Sequence, residues 1–191
     1  VSSGTISVDG VDIRDARLES LSTQMGIVLQ EPFLFTGSIE DNIKYKNTGL
    51  TSTEVKKIAA IIGLDGYIEK MPNGYQTVLE ERGGNLSLGQ RQLLSFARAL
   101  ASNPRILILD EATANVDTPT EQRIQGALKQ LLQNRTSVII AHRLSTIRSA
   151  DKIVFMNEGR IIETGSHDEL IHKKGIYAEH YKLNQGLVEI P

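Results

Sequence analysis

One segment of the sequence, residues 85 to 117, constrains the fold more than any other. It begins with Ser87-Leu88-Gly89-Gln90, which fits a capping box: the serine side chain accepts from the third backbone N–H, and the glutamine side chain reaches back. Apolar residues then recur at helical spacing as far as Asn103-Pro104, where the proline stops the helix. We therefore expect a capped amphipathic helix with one polar stripe. The stripe consists of Arg91, Ser95, Arg98 and Ser102.

An unbroken apolar run, Ile106 to Leu109, follows this helix and ends in Asp110 and Glu111. Such a run suits a parallel strand that is covered on both faces, and open α/β sheets bind ligands at the carboxyl ends of their strands. Asp110 is a candidate magnesium ligand, because Mg²⁺ prefers oxygen donors and keeps part of its water shell. Glu111 is a candidate base that orients or deprotonates an attacking water. A helix cap followed by an acidic turn is the simpler alternative for either piece alone.

These motifs, in this order, resemble those of the ABC ATPase family. Residues 86 to 90 resemble its signature sequence, residues 106 to 111 its Walker B strand, and residues 114 to 117 its D-loop. The resemblance implies an ATPase that uses ATP and Mg²⁺, with the signature contacting a nucleotide held by an opposing domain. The residues that it assigns to nucleotide or cofactor binding are Gln30, Ser87, Gly89, Gln90 and Asp117.

Two polar residues follow strand-like runs and gain a role only from their order in the chain. Gln30 follows the apolar run Met25 to Leu29 and precedes Glu31-Pro32, and His142 follows the run that begins at Thr136. An isolated glutamine or histidine in such a place is usually structural or exposed. By resemblance, Gln30 is the Q-loop residue that reaches the magnesium, so Asp110 and Gln30 are the expected metal site. His142 resembles the switch histidine that contacts the γ-phosphate, so Glu111 and His142 are the expected catalytic residues.

Composition excludes several other classes of protein. Hydrophobic residues make up 40% of the 191 residues, enough for a substantial core. The net charge of −2 and the dispersed Lys and Arg residues argue against a nucleic-acid partner. Without cysteine, the chain has neither disulfides nor thiolate metal sites. The longest apolar run, residues 58 to 62, is far shorter than the ~20 residues of a membrane helix, so we expect that this polypeptide does not cross a bilayer.

The segment from Phe33 to Ile43 resembles the corresponding part of exporter-type ABC domains. Its aromatic residues, Phe33 and Phe35, precede a probable helix cap at Ser38. The resemblance implies that this loop docks a coupling helix of the transmembrane domain of the same transporter. Packing of both rings inside a helical subdomain is an equally good alternative, since most aromatic side chains are buried.

Helical spacing recurs on both sides of the central segment. We expect helices over residues 51 to 62 and 65 to 70, and another that begins with a capping box from Thr118 to Glu121, with Pro119 at its first position. Residues 152 to 156 and 160 to 163 predict a hairpin, and Ser166 predicts the cap of a further helix. His167, His172 and His180 lack the spacing of metal ligands and are expected on the surface.

Alternation of strands and helices predicts an α/β fold with a P-loop NTPase-like parallel sheet. The sheet core is expected to comprise residues 1–37 and 104–191, with an inserted helical subdomain over residues 38–103 that carries the signature. The core is expected to be incomplete, because the family's phosphate-binding loop, G-x-x-x-x-G-K-[ST], is missing and no glycine here precedes a lysine. We therefore expect part of an ABC domain that begins just after its P-loop helix, and no ATP hydrolysis by this part alone.

The preferred reading is an ABC exporter subunit whose nucleotide-binding domain lies at the cytoplasmic face of the cell membrane and pairs head to tail with a second such domain. Leu88 occupies a signature position at which the family usually has glycine, which favours an asymmetric heterodimer with one weakened site. The alternatives are a soluble ABC ATPase of DNA repair or translation, and a catalytically silent interaction module. The transported substrate is not encoded in these residues.

Overall fold

A computed structural model describes residues 3–110, 117–141 and 143–184 of the chain. The strands in these ranges are β1 (Ser7–Val8), β2 (Val11–Asp12), β3 (Met25–Val28), β4 (Gly37–Ser38), β5 (Val78–Leu79), β6 (Ile106–Asp110), β7 (Thr136–Ile140), β8 (Ile153–Asn157) and β9 (Arg160–Gly165). The helices are α1 (Leu18–Thr23), α2 (Ile39–Lys44), α3 (Ser52–Ile62), α4 (Asp65–Ile68), α5 (Leu88–Ala101), α6 (Thr118–Leu132), α7 (Leu144–Arg148), α8 (His167–Lys173) and α9 (Ile176–Asn184). None of these helices has the length and apolar character that crossing a membrane requires.

The chain divides into two compact units, Val1–Ile139 and Ile140–Pro191. The first unit contains a three-stranded sheet in the order β3-β6-β7. Strands β3 and β6 are parallel, with Met25 opposite Ile106 and Val28 opposite Leu109. Parallel neighbours need a long crossover, and here the helices α2 to α5 supply it. The α/β fold with a parallel sheet is thereby confirmed.

The expectation that β6 is covered on both faces is wrong. Leu107 and Leu109 are buried, but Ile106 and Ile108, on the other face, are only partly buried. Ile27 of β3 and Val138 of β7 are exposed as well. The buried face of the sheet packs against α5, whose Leu93, Leu94 and Phe96 belong to the same core cluster. A run of branched apolar residues reports strand propensity and apolar surroundings, but not how many faces are covered.

Three helices of the first unit, α2, α3 and α5, begin at a capping box. Ser38, Thr51 and Ser87 each accept from the third backbone N–H of the following helix, and each forms a capping box. The box expected at Thr118 is wrong by one residue. Asp117 is the N-cap of α6 and accepts from Thr120 N, so Pro119 lies at the second helical position instead of the first. Aspartate and threonine are both good caps, and the aspartate precedes the threonine in the chain.

The second unit combines the expected hairpin with two helices. Strands β8 and β9 are antiparallel with a bulge between Phe155 and Met156, and Ser166 caps α8 with a capping box. His172 and His180 are exposed, as predicted. The prediction for His167 is wrong, because its ring is partly buried and Nδ1 lies 2.8 Å from the hydroxyl of Tyr177. Aromatic neighbours along α9 account for this burial, and the spacing rule for metal ligands does not consider them.

Candidate functional site

The two residues predicted to bind a metal lie at or just beyond the carboxyl ends of two neighbouring parallel strands. Val28 ends β3 opposite Leu109 of β6, so Asp110 continues one strand and Gln30 follows the other by two residues. Gln30 is exposed and Asp110 is partly buried. A carboxylate and an amide oxygen at one edge of a sheet suit Mg²⁺, which typically takes one or two protein oxygens and fills its shell with water and phosphate. No group of three or more His, Cys, Asp or Glu residues in the described ranges is arranged to hold a metal by itself.

Asp110 shares a small cavity with a residue that the sequence did not single out. The cavity is lined by Val28, Leu109 and Phe96, together with the side chain of Gln92 from α5. Gln92 is 7% exposed and lies one turn beyond the N-terminus of its helix. Buried amides are usually hydrogen-bonded. Gln92 and Asp110 line the same cavity, so the helix that carries the signature borders the surroundings of Asp110. An isolated polar residue in an otherwise apolar helix face was the only signal for it.

The N-terminus of α5 has the geometry of an anion site. Ser87 Oγ accepts from Gln90 N at 3.2 Å, and Gln90 Oε1 accepts from Ser87 N at 2.9 Å. This pair uses the third N–H of the helix and leaves those of Leu88 and Gly89, which have no intrahelical acceptor. The hydroxyl hydrogen of Ser87 is also available, because its oxygen serves as the acceptor. Free N–H groups at the positive end of a helix dipole bind phosphate and carboxylate groups. Leu88 is 36% exposed at this end.

Asp117, predicted to contact nucleotide, has a structural role in the described residues. Its carboxylate accepts from Thr120 N at 3.1 Å and caps α6. This hydrogen bonding from Thr120 holds the pKa of Asp117 below its ordinary value. Asp117, the last residue of the D-loop segment, is exposed and places its carboxylate at the surface.

The two predicted catalytic residues, Glu111 and His142, lie outside the described residues, as do residues 114 to 116 of the D-loop segment. In the sequence, Glu111 directly follows β6, which ends at Asp110, and His142 comes two residues after the end of β7 at Ile140. Their roles stay predictions from the sequence.

An exposed aromatic surface follows Gln30 in the chain. It consists of Phe33, Phe35 and Tyr45, which are 54%, 40% and 45% exposed. The two phenylalanine rings meet edge to face at 5.0 Å, and Phe35 stacks on Tyr45 at 5.1 Å. Packing of these rings inside a helical subdomain is therefore wrong, because the rings contact one another at the surface. Tyr45 ends α2 with a φ of +44°, which costs a residue other than glycine of order 1–3 kcal/mol and is typical of functional sites.

Arg98, a residue of the predicted polar stripe on α5, lies beneath this surface. Its guanidinium donates to Asn42 O at 2.9 Å, to Phe33 O at 2.7 Å and to Asn42 Oδ1 at 2.6 Å. Ser95, from the same predicted stripe, is 9% exposed. Arg98 packs against α2 and the aromatic loop and Ser95 is buried, so the helix is covered on more than its apolar face, whereas Ser102 at the end of the stripe is exposed. Sequence periodicity distinguishes polar from apolar faces but does not show which polar face has a partner.

A separate cavity of about 620 Å³ lies at the opposite edge of the sheet. Its lining includes Gln24, Arg105 and Arg135, which precede β3, β6 and β7. Arg135 uses its guanidinium to bond the carbonyls of Pro104 and Leu131. Ligands of α/β sheets bind at the carboxyl ends of the strands, so this cavity is not the predicted nucleotide site.

Comparisons with known proteins agree with the geometry. Residues 1–114 match the ABC transporter family. The uncharacterized ABC transporter ATP-binding protein YknV of Bacillus subtilis is 54% identical over 92% of this chain, which covers 29% of that protein. The ATP-dependent lipid A-core flippase of Syntrophus aciditrophicus is 46% identical over 97% of this chain, which covers 30% of the flippase.

The likeness extends to a solved structure, that of a bacterial Atm1-family ABC exporter with ATP bound. It superimposes with a TM-score of 0.87 and is 40% identical, covering 99% of this chain and 33% of the exporter. The chain thus spans about 30% of the length of the curated relatives described above. The family match covers more than half of the chain, and the chain belongs to the ABC transporter family.

Proposed function

We propose that this chain forms part of the nucleotide-binding domain of an ABC exporter subunit, in which ATP binding and hydrolysis drive transport across a membrane. The observation that supports the proposal is the shared carboxyl edge of β3 and β6, where Val28 lies opposite Leu109, two residues before Gln30 and one residue before Asp110. The names of two relatives support the exporter type. One is a lipid A-core flippase, and the other is a fatty acid ABC transporter with ATP-binding and permease parts. The transported substrate stays open.

The reaction is transfer of the γ-phosphoryl group of ATP to water, which positioning and charge stabilisation accelerate. Glu111 holds and polarises the attacking water, while Gln30 and His142 contact the γ-phosphate. Asp110 holds the metal site through its carboxylate, with Gln30 as the second protein oxygen donor. When bound, Mg²⁺ neutralises charge on the phosphate oxygens.

The signature end of α5 serves a second domain. Ser87 and Gly89 contact the nucleotide held by the phosphate-binding loop of the opposing domain, with Gln90 fixing the serine through the capping box. The free N–H groups of Leu88 and Gly89 support this role. Asp117, the last residue of the D-loop segment, is assigned to nucleotide contact as well, and its carboxylate also caps α6. The dimer is head to tail, and Leu88 makes the composite site that this signature completes the weaker one.

The aromatic surface serves the transmembrane part of the transporter. Phe33 and Phe35 expose rings three and five residues after Gln30, and Tyr45 stacks on Phe35, so a partner bound there lies close in the chain to the residue proposed to sense the nucleotide. Exposed aromatic clusters are typical of protein interfaces. The partner is a helix of the permease part that faces the cytoplasm, and the domain works on that side of the membrane.

Within this proposal, residues 1–37 and 104–191 form the α/β core and residues 38–103 the helical subdomain. The chain itself contains no G-x-x-x-x-G-K-[ST] sequence. Backbone N–H groups of that loop cradle the phosphates, and the chain by itself is therefore inactive as an ATPase.

The test is the magnesium dependence of ATP hydrolysis by the full transporter that contains this chain. Asp110→Asn removes the charge at the edge of the sheet and should raise the Mg²⁺ concentration for half-maximal turnover by about 10–100-fold. Asp15→Asn, an exposed carboxylate in the first unit, is the matched control and should change nothing. An unchanged magnesium dependence in Asp110→Asn would remove Asp110 from the metal site.

A further inference from the structure

We propose that Arg98 is a positioning residue that fixes the aromatic surface to helix α5, so that displacement of the signature end reaches the partner docked on Phe33, Phe35 and Tyr45. This inference rests on the proposed docking of the transmembrane part at that surface. The inference identifies Arg98 as the side chain that connects the docking surface to the helix proposed to contact the nucleotide.

The hydrogen bonds of Arg98 connect three segments that are distant in the chain. Arg98 belongs to α5, its acceptor Asn42 belongs to α2, and its third acceptor is the carbonyl of Phe33 in the aromatic loop. The sequence separations are 56 and 65 residues. One planar guanidinium with its donors in a fixed fork therefore sets the mutual position of all three segments.

Asn42 extends this linkage to Phe35. Asn42 is 2% exposed, and its Nδ2 donates to Phe35 O at 2.9 Å and to Ser38 O at 3.0 Å. Its Oδ1 accepts from Phe35 N at 3.0 Å as well as from Arg98. Both polar groups of the Phe35 backbone thus depend on one buried amide, which Arg98 holds in place.

The rings themselves also contact the cation. The guanidinium carbon of Arg98 lies 5.1 Å from the ring centroid of Phe35 and 5.1 Å from that of Tyr45. A guanidinium at this distance from aromatic rings is attracted to their electron-rich faces. The backbone and the side chains of the aromatic surface therefore have the same anchor.

The charge of Arg98 has no carboxylate partner among the described residues, unlike Arg14, which pairs with Asp12, and Lys44, which pairs with Glu40. Its acceptors are neutral carbonyl and amide oxygens, and burial lowers the pKa of Arg98 below its ordinary value. A buried charge is a poor device for stability alone, because well-packed apolar side chains do as well or better. Fixed geometry between loop and helix is what the arginine provides and an apolar residue does not.

Helix α5 carries this geometry to the nucleotide. It has 14 residues, about 21 Å at 1.5 Å per residue, and its apolar face lies in the core. Ser87 caps one end and Arg98 lies in the last turn. A packed helix moves as a rigid element, so a shift imposed at Ser87 displaces Arg98 and the loop bonded to it.

The first experiment measures amide hydrogen exchange in the full transporter. Arg98→Ala removes the anchor, and exchange at Phe35 N should become about tenfold faster or more, the equivalent of one lost hydrogen bond to a charged group. Arg98→Lys keeps the charge but not the fork, and should accelerate the same amide. Arg123→Ala is the matched control, because Arg123 lies over the Tyr67 ring at 4.8 Å in the same unit and should leave Phe35 unaffected. Unchanged exchange at Phe35 in Arg98→Lys overturns the inference, as does equal acceleration throughout the unit.

The second experiment measures the number of substrate molecules transported per ATP hydrolysed. Arg98→Lys should lower this ratio severalfold, because turnover continues while its coupling to the partner weakens. Phe33→Ala tests the docking surface separately. If Phe33→Ala lowers the ratio and Arg98→Lys does not, the role of Arg98 is wrong and docking stands. If Phe33→Ala leaves the ratio unchanged, the docking surface itself is wrong, and the inference for Arg98 fails with it.

Discussion

Substitution of Ser87 separates the structural and the functional role of the α5 N-terminus. Ser87→Ala removes the acceptor for Gln90 N and should lower the free energy of unfolding by about 1 kcal/mol, the usual cost of losing a helix cap. In a domain of 150–250 residues this corresponds to roughly 2–4 °C in Tm. Thr51→Ala is the matched control, because Thr51 forms the same kind of box with Glu54 at 2.8 and 3.3 Å in the same unit. Both alanine variants should therefore lose similar stability.

Aspartate at the same two positions isolates the function. Aspartate caps helices as well as serine does, so Ser87→Asp should keep nearly the full stability. Thr51→Asp should lose some stability, because the Thr51 hydroxyl lies 2.7 Å from the carboxylate of Glu54 and two carboxylates would meet there. At Ser87, however, the new carboxylate lies where a phosphate is proposed to bind, and like charges repel. The assay is the ATP concentration at which half of the full transporter closes its two nucleotide-binding domains. Ser87→Ala should raise this concentration by about 10–100-fold, the worth of one hydrogen bond to a charged group, and Ser87→Asp should raise it further. Equal closure in the Ser87→Asp and Thr51→Asp proteins would make Ser87 a helix cap and nothing more.

Three further predictions follow from the same account. Isothermal titration of the 191-residue chain with ATP and Mg²⁺ should give no micromolar binding, and binding at that level would reveal a different phosphate site. In the full transporter Leu88→Gly should change turnover little, because it lies in the weaker composite site; a homodimer with two equally active sites would refute the asymmetry. Glu40 accepts from Lys44 and Ser52, which lowers its pKa from 4.5, so its contribution to stability is present above that value and is lost as pH falls below it. Glu40→Gln should reduce the loss of stability as pH falls below 4.5, and an unchanged pH dependence would exclude Glu40 as the responsible group.

The features that the sequence predicted well are local. The caps at Ser38, Ser87 and Ser166 depend on side chains three residues apart, and the structure confirms each of them. The run before Asp110 predicted a strand, and its parallel pairing with β3 followed from the alternation of helices and strands. Local chemistry and hydrophobic periodicity act over a few residues, which is the range that a single sequence reveals.

The features that were missed depend on distant partners. The partners of Arg98 were not predicted because its acceptors are 56 and 65 residues away in the chain. The aromatic residues of the loop gave equal support to burial and to docking. Gln92 was not singled out, because its position beside Asp110 depends on the packing of α5 against the buried face of the sheet. The cap of α6 was assigned one residue too late, because Asp117 and Thr118 are adjacent and both favour the position.

Glu111, the residue that follows β6 in the chain, is proposed to act on the water that hydrolyses ATP. Glu111→Gln in the full transporter tests this role most directly. The amide keeps the size of the side chain but is not a base, so turnover should fall by about 10²–10⁴-fold. ATP affinity should survive, because Glu111 acts on water. Glu158→Gln, in the exposed turn between β8 and β9, is the control and should keep full turnover. Turnover within a factor of about three of the unmodified protein, or a loss of ATP affinity as large as the loss of turnover, would contradict the claim.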